Sequence, residues 1–211
     1  KKNSALYYAA MMEALDTETN RLLKWLAANG HDNVDIIFVG DNGSPSSVIA
    51  APWTSEQAKG TLYQGGVHVP LCFAGRSVGA NKGSSKALVH TVDLFATILG
   101  MFEVTKPADP TTIGQDSADL GPILAAPSTS GARTWNYTEV FGSPGGSPDT
   151  LGKAVTDGRF KLIVFESGTE LLFDLESDAM ETKDLFAPGP AGEAKTAYDK
   201  LKKRLVDIAA S

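Results

Sequence analysis

Tyr7, Met11, Leu15, Leu22 and Leu26 recur at spacings of four and seven, the one-sided stripe of an amphipathic helix. A long helix is expected over about residues 4–29, with Asn3 or Ser4 as its cap and Gly30 as its stop. Its stripe is expected to pack on a sheet. The run Val34-Asp35-Ile36-Ile37-Phe38-Val39-Gly40 then reads as a short buried strand, ended by the turn residues Asp41-Asn42-Gly43. Val67 to Phe73 reads as a second strand, with Pro70 marking an edge or an irregularity. Residues 89–100 read as a helix with Val92, Phe95, Ala96 and Leu99 facing inward. Asp93 within it reads as a local hydrogen-bonding residue with no catalytic part.

The pattern changes in the second half. Residues 105–131 are rich in Pro, Gly, Ser, Thr and Ala and read as connecting loop. Strand-like segments follow at about 134–141, 153–157, 160–166 and 170–175. Gly158-Arg159 and Ser167-Gly168-Thr169 supply short turns, which predicts an antiparallel meander. Residues 192–209 predict a closing helix with Tyr198, Leu201, Leu205 and Ile208 on its buried side. The loop Gly142 to Pro148 reads as a mobile connector, placed to border a substrate entrance.

Composition narrows the function classes. The 211 residues are 42% hydrophobic and 21% charged, near average usage for a globular domain. Lys and Arg total 19 against 25 Asp and Glu, and no basic stripe interleaved with aromatics points to nucleic acid. No apolar run approaches the roughly 20 residues of a membrane span. The single cysteine excludes an internal disulfide.

Candidate chemistry lies at the first strand's end. In open α/β sheets ligands bind beyond the carboxyl ends of strands. Asp41 offers a carboxylate and Asn42 an amide oxygen, hard donors suited to calcium or magnesium; the same Asp-Asn-Gly is also ordinary turn chemistry. Lys59 precedes Gly65-Gly66, glycines that let backbone pass close to another surface. It could reach an anion near the strand ends, or be a solvated lysine before a loop. Cys72-Phe73-Ala74-Gly75-Arg76 matches a bare Cys-x-Ala-x-Arg pattern, yet a strand cysteine reads as a small buried hydrophobe. His31, His68 and His90 lack paired zinc spacing. Two glycosylation acceptor patterns start at Asn42 and Asn136; a glycan on Asn42 would destroy the proposed metal site.

The ordered series Asp41-Asn42-Gly43, Lys59-Gly60-Thr61-x-Tyr63-x-Gly65-Gly66-x-x-Val69-Pro70 and Val92 to Leu99 resembles the sulfatases of the alkaline phosphatase superfamily. Tyr8 to Asp16, Asp157 to Ile163 and Leu171 to Leu175 continue the likeness along nearly the whole chain. The resemblance implies an α/β fold: part of an alkaline-phosphatase-like α/β/α sandwich, then a small antiparallel sheet with a carboxyl-terminal helix. Residues 1–125 are expected to belong to the catalytic domain and 126–211 to form the carboxyl-terminal subdomain. Gln64 and Ala96 depart from the family's usual glutamate and proline, bearing on local structure, and His68 stands where relatives often carry arginine, either a structural histidine or one lining the pocket. Residues between Gly43 and Lys59 match no family segment and are expected to shape specificity.

By the same resemblance, Asp41 and Asn42 are two ligands of a single divalent cation, usually Ca2+, with Mg2+ an alternative. Lys59 is the residue that contacts the sulfate group and stabilises charge. The family's formylglycine nucleophile arises from a Cys/Ser-x-Pro/Ala-x-Arg motif in the amino-terminal half. The chain is therefore expected to be a carboxyl-terminal portion, partnered by that half of the same protein and inactive alone. The expected substrate is a small-molecule or carbohydrate sulfate ester, with no nucleic-acid partner and no membrane span. The resemblance points to a periplasmic or secreted protein, with the cytoplasm also open. Two further readings stand beside it: a phosphodiester or phosphonate monoester hydrolase of the same superfamily, and a non-catalytic binding protein that kept the fold.

Overall fold

The computed structural model describes residues 3–80, 82–105, 116–142 and 147–209, which fall into two compact units, Lys1–Val78 and Gly79–Ser211. The architecture is mixed α/β, with small antiparallel sheets and flanking helices.

In the first unit, helix α1 spans Ser4–Ala28. It ends in a Schellman motif: the amide of His31 donates to the carbonyl of Leu26 at 3.0 Å and that of Gly30 to Ala27 at 3.4 Å. Gly30, at φ +72°, supplies the left-handed residue this ending requires. The start has no side-chain cap, although Asn3 occupies the N-cap position. The apolar stripe is not core. No residue of α1 is buried, and Tyr7 and Met11 are 69% and 67% exposed. Periodicity marks an apolar face; burial also needs a surface to cover it.

Strand β1, Ile36–Val39, pairs antiparallel with β2, Leu71–Ala74, Phe38 standing opposite Cys72. The ladder has two strands only, so Phe38 and Val39 stay exposed rather than buried as the apolar run suggested. Cys72 is exposed too, correcting its reading as a buried hydrophobe. Asp35 closes one end of the ladder by accepting the amide and hydroxyl of Ser77, each at 2.7 Å. At the other end the Gly40 amide donates to the Pro70 carbonyl at 2.9 Å. Everything between Gly40 and Pro70, including the short helix α2 at Gln64–Val67, therefore leaves and returns at one end of the ladder.

The second unit begins with α3, Asp93–Met101. Its buried face is Asp93, Ala96 and Thr97; of the expected inward set Ala96 is buried and Leu99 half-buried, while Val92 and Phe95 are exposed. Hydrogen bonding decides the orientation. The Asp93 carboxylate accepts from the amides of His90 (2.8 Å) and Ala118 (2.9 Å) and from the Arg133 guanidinium (2.9 Å). Thr97 accepts the amide of Leu120 at 3.0 Å. These buried polar groups are hydrogen-bonded, as buried polar groups in native structures are. A short helix α4, Gly121–Ala125, interrupts the segment expected to be loop.

Strands β3 (Asn136–Val140), β4 (Gly152–Thr156), β5 (Phe160–Phe165) and β6 (Glu170–Asp174) form an antiparallel sheet in sequence order. This is the expected meander, turned by Gly158 and Gly168 at positive φ. Helix α5, Gly192–Ala209, lays Ala197, Leu201 and Leu205 on Val155, Phe160, Leu162 and Leu172. Each fully buried leucine there contributes about 1.5–3 kcal/mol. Asn136 lies within β3, half-buried, and its side-chain amide donates to the Val89 carbonyl at 2.7 Å. Part of the loop expected to border a substrate entrance, residues 143–146, lies outside the described residues. No helix among the described residues is long and apolar enough to cross a membrane.

Candidate active site

Asp41 follows directly from the end of β1, and its carboxylate is organised by its neighbour. Oδ1 accepts the backbone amide of Asn42 at 2.9 Å and Oδ2 the side-chain amide of Asn42 at 2.9 Å. Each carboxylate oxygen keeps a lone pair for another partner. With Nδ2 turned to Asp41, the Asn42 Oδ1 faces away. A cation held by both side chains therefore requires that amide to turn over, so that two hard oxygens converge. Two oxygen donors of this kind are chemically suited to a hard divalent ion. Among the described residues no group of three or more His, Cys, Asp or Glu side chains is gathered for a metal.

Lys59 is brought to this turn by backbone. Its amide donates to the Ser44 carbonyl at 2.9 Å, and the Gly43 amide donates to the Gly66 carbonyl at 3.0 Å. The Asp41-Asn42 turn thus lies against the segment carrying Lys59 and the one carrying Gly65-Gly66. Lys59 is exposed, and no described carboxylate lies in salt-bridge range of its ammonium. Gly60 follows at φ +86° and turns the chain immediately after the lysine. An exposed carboxylate turn and an exposed lysine are thus carried on segments bonded to each other through backbone. All three predicted site residues belong to the first unit.

The connection from Ser44 to Ala58 contains two features that sequence reasoning missed. Gln57 is buried and its Oε1 accepts the amide of Thr54 at 3.1 Å. The indole nitrogen of Trp53 is buried with no hydrogen-bond partner among the described residues. The Thr54-x-x-Gln57 spacing, a capping signature, was the signal available for the first. His68 is exposed at the end of α2, and Cys72 sits in β2 opposite Phe38. Neither is joined to the Asp41 turn by a hydrogen bond.

Comparison with known proteins gives this geometry a context. A sulfatase of Formosa agariphila is 26% identical over 217 aligned positions, covering 94% of this chain and 38% of that protein. Mouse arylsulfatase J is 32% identical over 98 residues, covering 46% of this chain and 16% of its own length. A protein solved in complex with its substrate D-glucosamine-2-N,6-O-disulfate superposes with a TM-score of 0.78 at 24% identity, covering 95% of this chain and 39% of that one. The chain thus spans less than half the length of each. Residues 2–104 match the protein-family model for sulfatases, and the chain carries the sulfatase/alkaline-phosphatase superfamily fold.

Proposed function

We propose that the complete protein carrying this chain is a sulfatase that hydrolyses sulfate monoesters, this chain supplying part of its metal and sulfate site. The observation that carries the reading is the backbone junction: Lys59 to Ser44 and Gly43 to Gly66 hold a carboxylate turn and a lysine in one place. Asp41 and Asn42 would hold the divalent cation, Ca2+ or Mg2+, which when bound supplies Lewis-acid polarisation of the ester oxygens. Lys59 places its ammonium against the sulfate and stabilises charge developing on the reacting group and the departing oxygen. The carbonyl of Ser44 holds the backbone of Lys59 against the turn. The nucleophile is expected to be a formylglycine supplied from elsewhere in the complete protein.

Further observations support this reading. Helix α1 and strand β1 expose apolar faces that would be covered by the amino-terminal half of the complete protein, since contiguous exposed apolar surface marks an interaction site. The reading divides the chain into a catalytic-domain part, 1–125, and a carboxyl-terminal subdomain, 126–211, built on β3 to β6 and α5. A sulfated carbohydrate is the substrate class we favour, because the superposed protein named above binds a sulfated glucosamine. The test compares turnover of an aryl sulfate with that of an aryl phosphonate by the complete protein. Sulfate release dominating supports the reading; preference for the phosphonate assigns the protein to the phosphonate hydrolases, and turnover of neither points to a binding protein.

A further inference from the structure

The contact between the Asp41 turn and the lysine segment is tighter than two hydrogen bonds require. A Cβ on Gly43 would stand 1.8 Å from the Gly65 carbonyl oxygen and 2.9 Å from the Gly66 Cα. On Gly65 it would meet the Gln57 carbonyl oxygen at 2.4 Å, and on Gly66 the Thr61 carbonyl oxygen at 2.5 Å. All of these neighbours are backbone, which cannot swing aside as a flexible side chain can. None of the three glycines has a left-handed φ. They are needed for closeness, not for an unusual turn. At these glycines the backbone of residues 43, 57, 61, 65 and 66 comes into direct contact.

We infer that Gly43, Gly65 and Gly66 are positioning residues: their contact sets the distance between the Asp41-Asn42 oxygens and the Lys59 amine, making the two halves of the site one unit. This rests on the proposed metal and sulfate roles of those residues, and it adds a consequence those roles do not contain. Because the Lys59 amide is bonded to Ser44, a cation drawn onto Asp41 and Asn42 pulls on the backbone that carries the lysine. Cation binding and lysine placement are then coupled through main chain. A side chain inserted at this contact uncouples them without removing any ligand.

The test uses the isotopically labelled complete protein and Ca2+ alone. In the wild type, scalar couplings across the hydrogen bonds should connect the Lys59 nitrogen to the Ser44 carbonyl carbon and the Gly43 nitrogen to the Gly66 carbonyl carbon. On titration with Ca2+, the amides of Asn42, Gly43 and Lys59 should shift along one isotherm. In Gly43→Ala both couplings should disappear and the Lys59 amide should stop following the cation. Asn42 should still respond, with at least tenfold weaker affinity. Gly30→Ala, at a left-handed glycine with open space around it, controls for general loss of stability and should leave couplings and isotherm as in the wild type. Couplings and a Lys59 response that survive in Gly43→Ala overturn the inference, as does a wild type in which Asn42 responds and Lys59 does not. If no amide responds to Ca2+, the metal reading fails by itself. The couplings then decide the inference, their loss in Gly43→Ala supporting it and their persistence overturning it.

Discussion

Arg133 grips Asp93 from 40 residues away, Nε donating to Oδ2 at 2.9 Å while Nη2 donates to Oδ1. Asp93 is fully buried and lies at the first position of α3. Burial alone would raise its carboxyl pKa. The Arg133 hydrogen bond, with the amides of Ala118 and His90, outweighs this and holds the group below the ordinary carboxylate range. Arg133→Met leaves that charge buried and unpaired. The variant is expected to lose about 3–5 kcal/mol, measured as a fall in the urea midpoint.

His90 should make the same helix start sensitive to acid. Its Nδ1 accepts the Val92 amide at 3.2 Å and its Nε2 lies 3.2 Å from the Tyr137 carbonyl, which fits the neutral ring protonated on Nε2. Burial, and then the nearby Arg133 charge, lower its pKa. The unfolded chain therefore binds the proton first. Stability is fully present above the unfolded value of about 6.5 and is lost as pH falls from there toward the lower folded value. Denaturant midpoints between pH 5 and pH 7 should decline with acid in the wild type. His90→Asn keeps an acceptor for Val92 and should flatten the decline.

Lys161 and Glu181 form a buried pair at 2.7 Å, with side chains 3% and 0% exposed. Desolvation pulls the lysine pKa down against the pull of the glutamate, the condition in which a pair holds only while both partners remain. Glu181→Gln should destabilise by about 3–5 kcal/mol, and Lys161→Met with Glu181→Leu should return most of that loss. Thermal unfolding of the two variants checks it.

Leu201 is 1% exposed beneath α5. Leu201→Ala should cost about 2–5 kcal/mol through lost burial and the cavity left behind, read in the same unfolding experiment.

The meander was legible because its strand-like runs are separated by short turns at Gly158 and Gly168, both at positive φ. Helix α5 was legible because the residues expected on its inner side include Leu201 and Leu205, which are buried. Helix α3 was misread in part, for a physical reason. Its inward face is fixed by Asp93 and Thr97 bonding to residues 118–133, a long-range arrangement that no local periodicity reports. The α1 stripe was expected as core and is not buried among the described residues, since burial depends on a covering surface as well as on periodicity. At the site, Asp41, Asn42 and Lys59 could be nominated from the chain. Their junction could not, because it depends on Gly43 meeting Gly65 and Gly66 across the fold.

Asp41→Ala should weaken Ca2+ binding by the complete protein at least tenfold, since a charged oxygen ligand is lost. Isothermal titration measures this, and an unchanged affinity removes Asp41 from the metal site.

The most direct measurement is steady-state sulfate release by the complete protein with Lys59 intact and with Lys59→Ala, each shown folded by circular dichroism. Loss of a preorganised charge at the reacting group should lower kcat by about 10²–10³. A Lys59→Ala enzyme that releases sulfate at the wild-type rate would contradict the account.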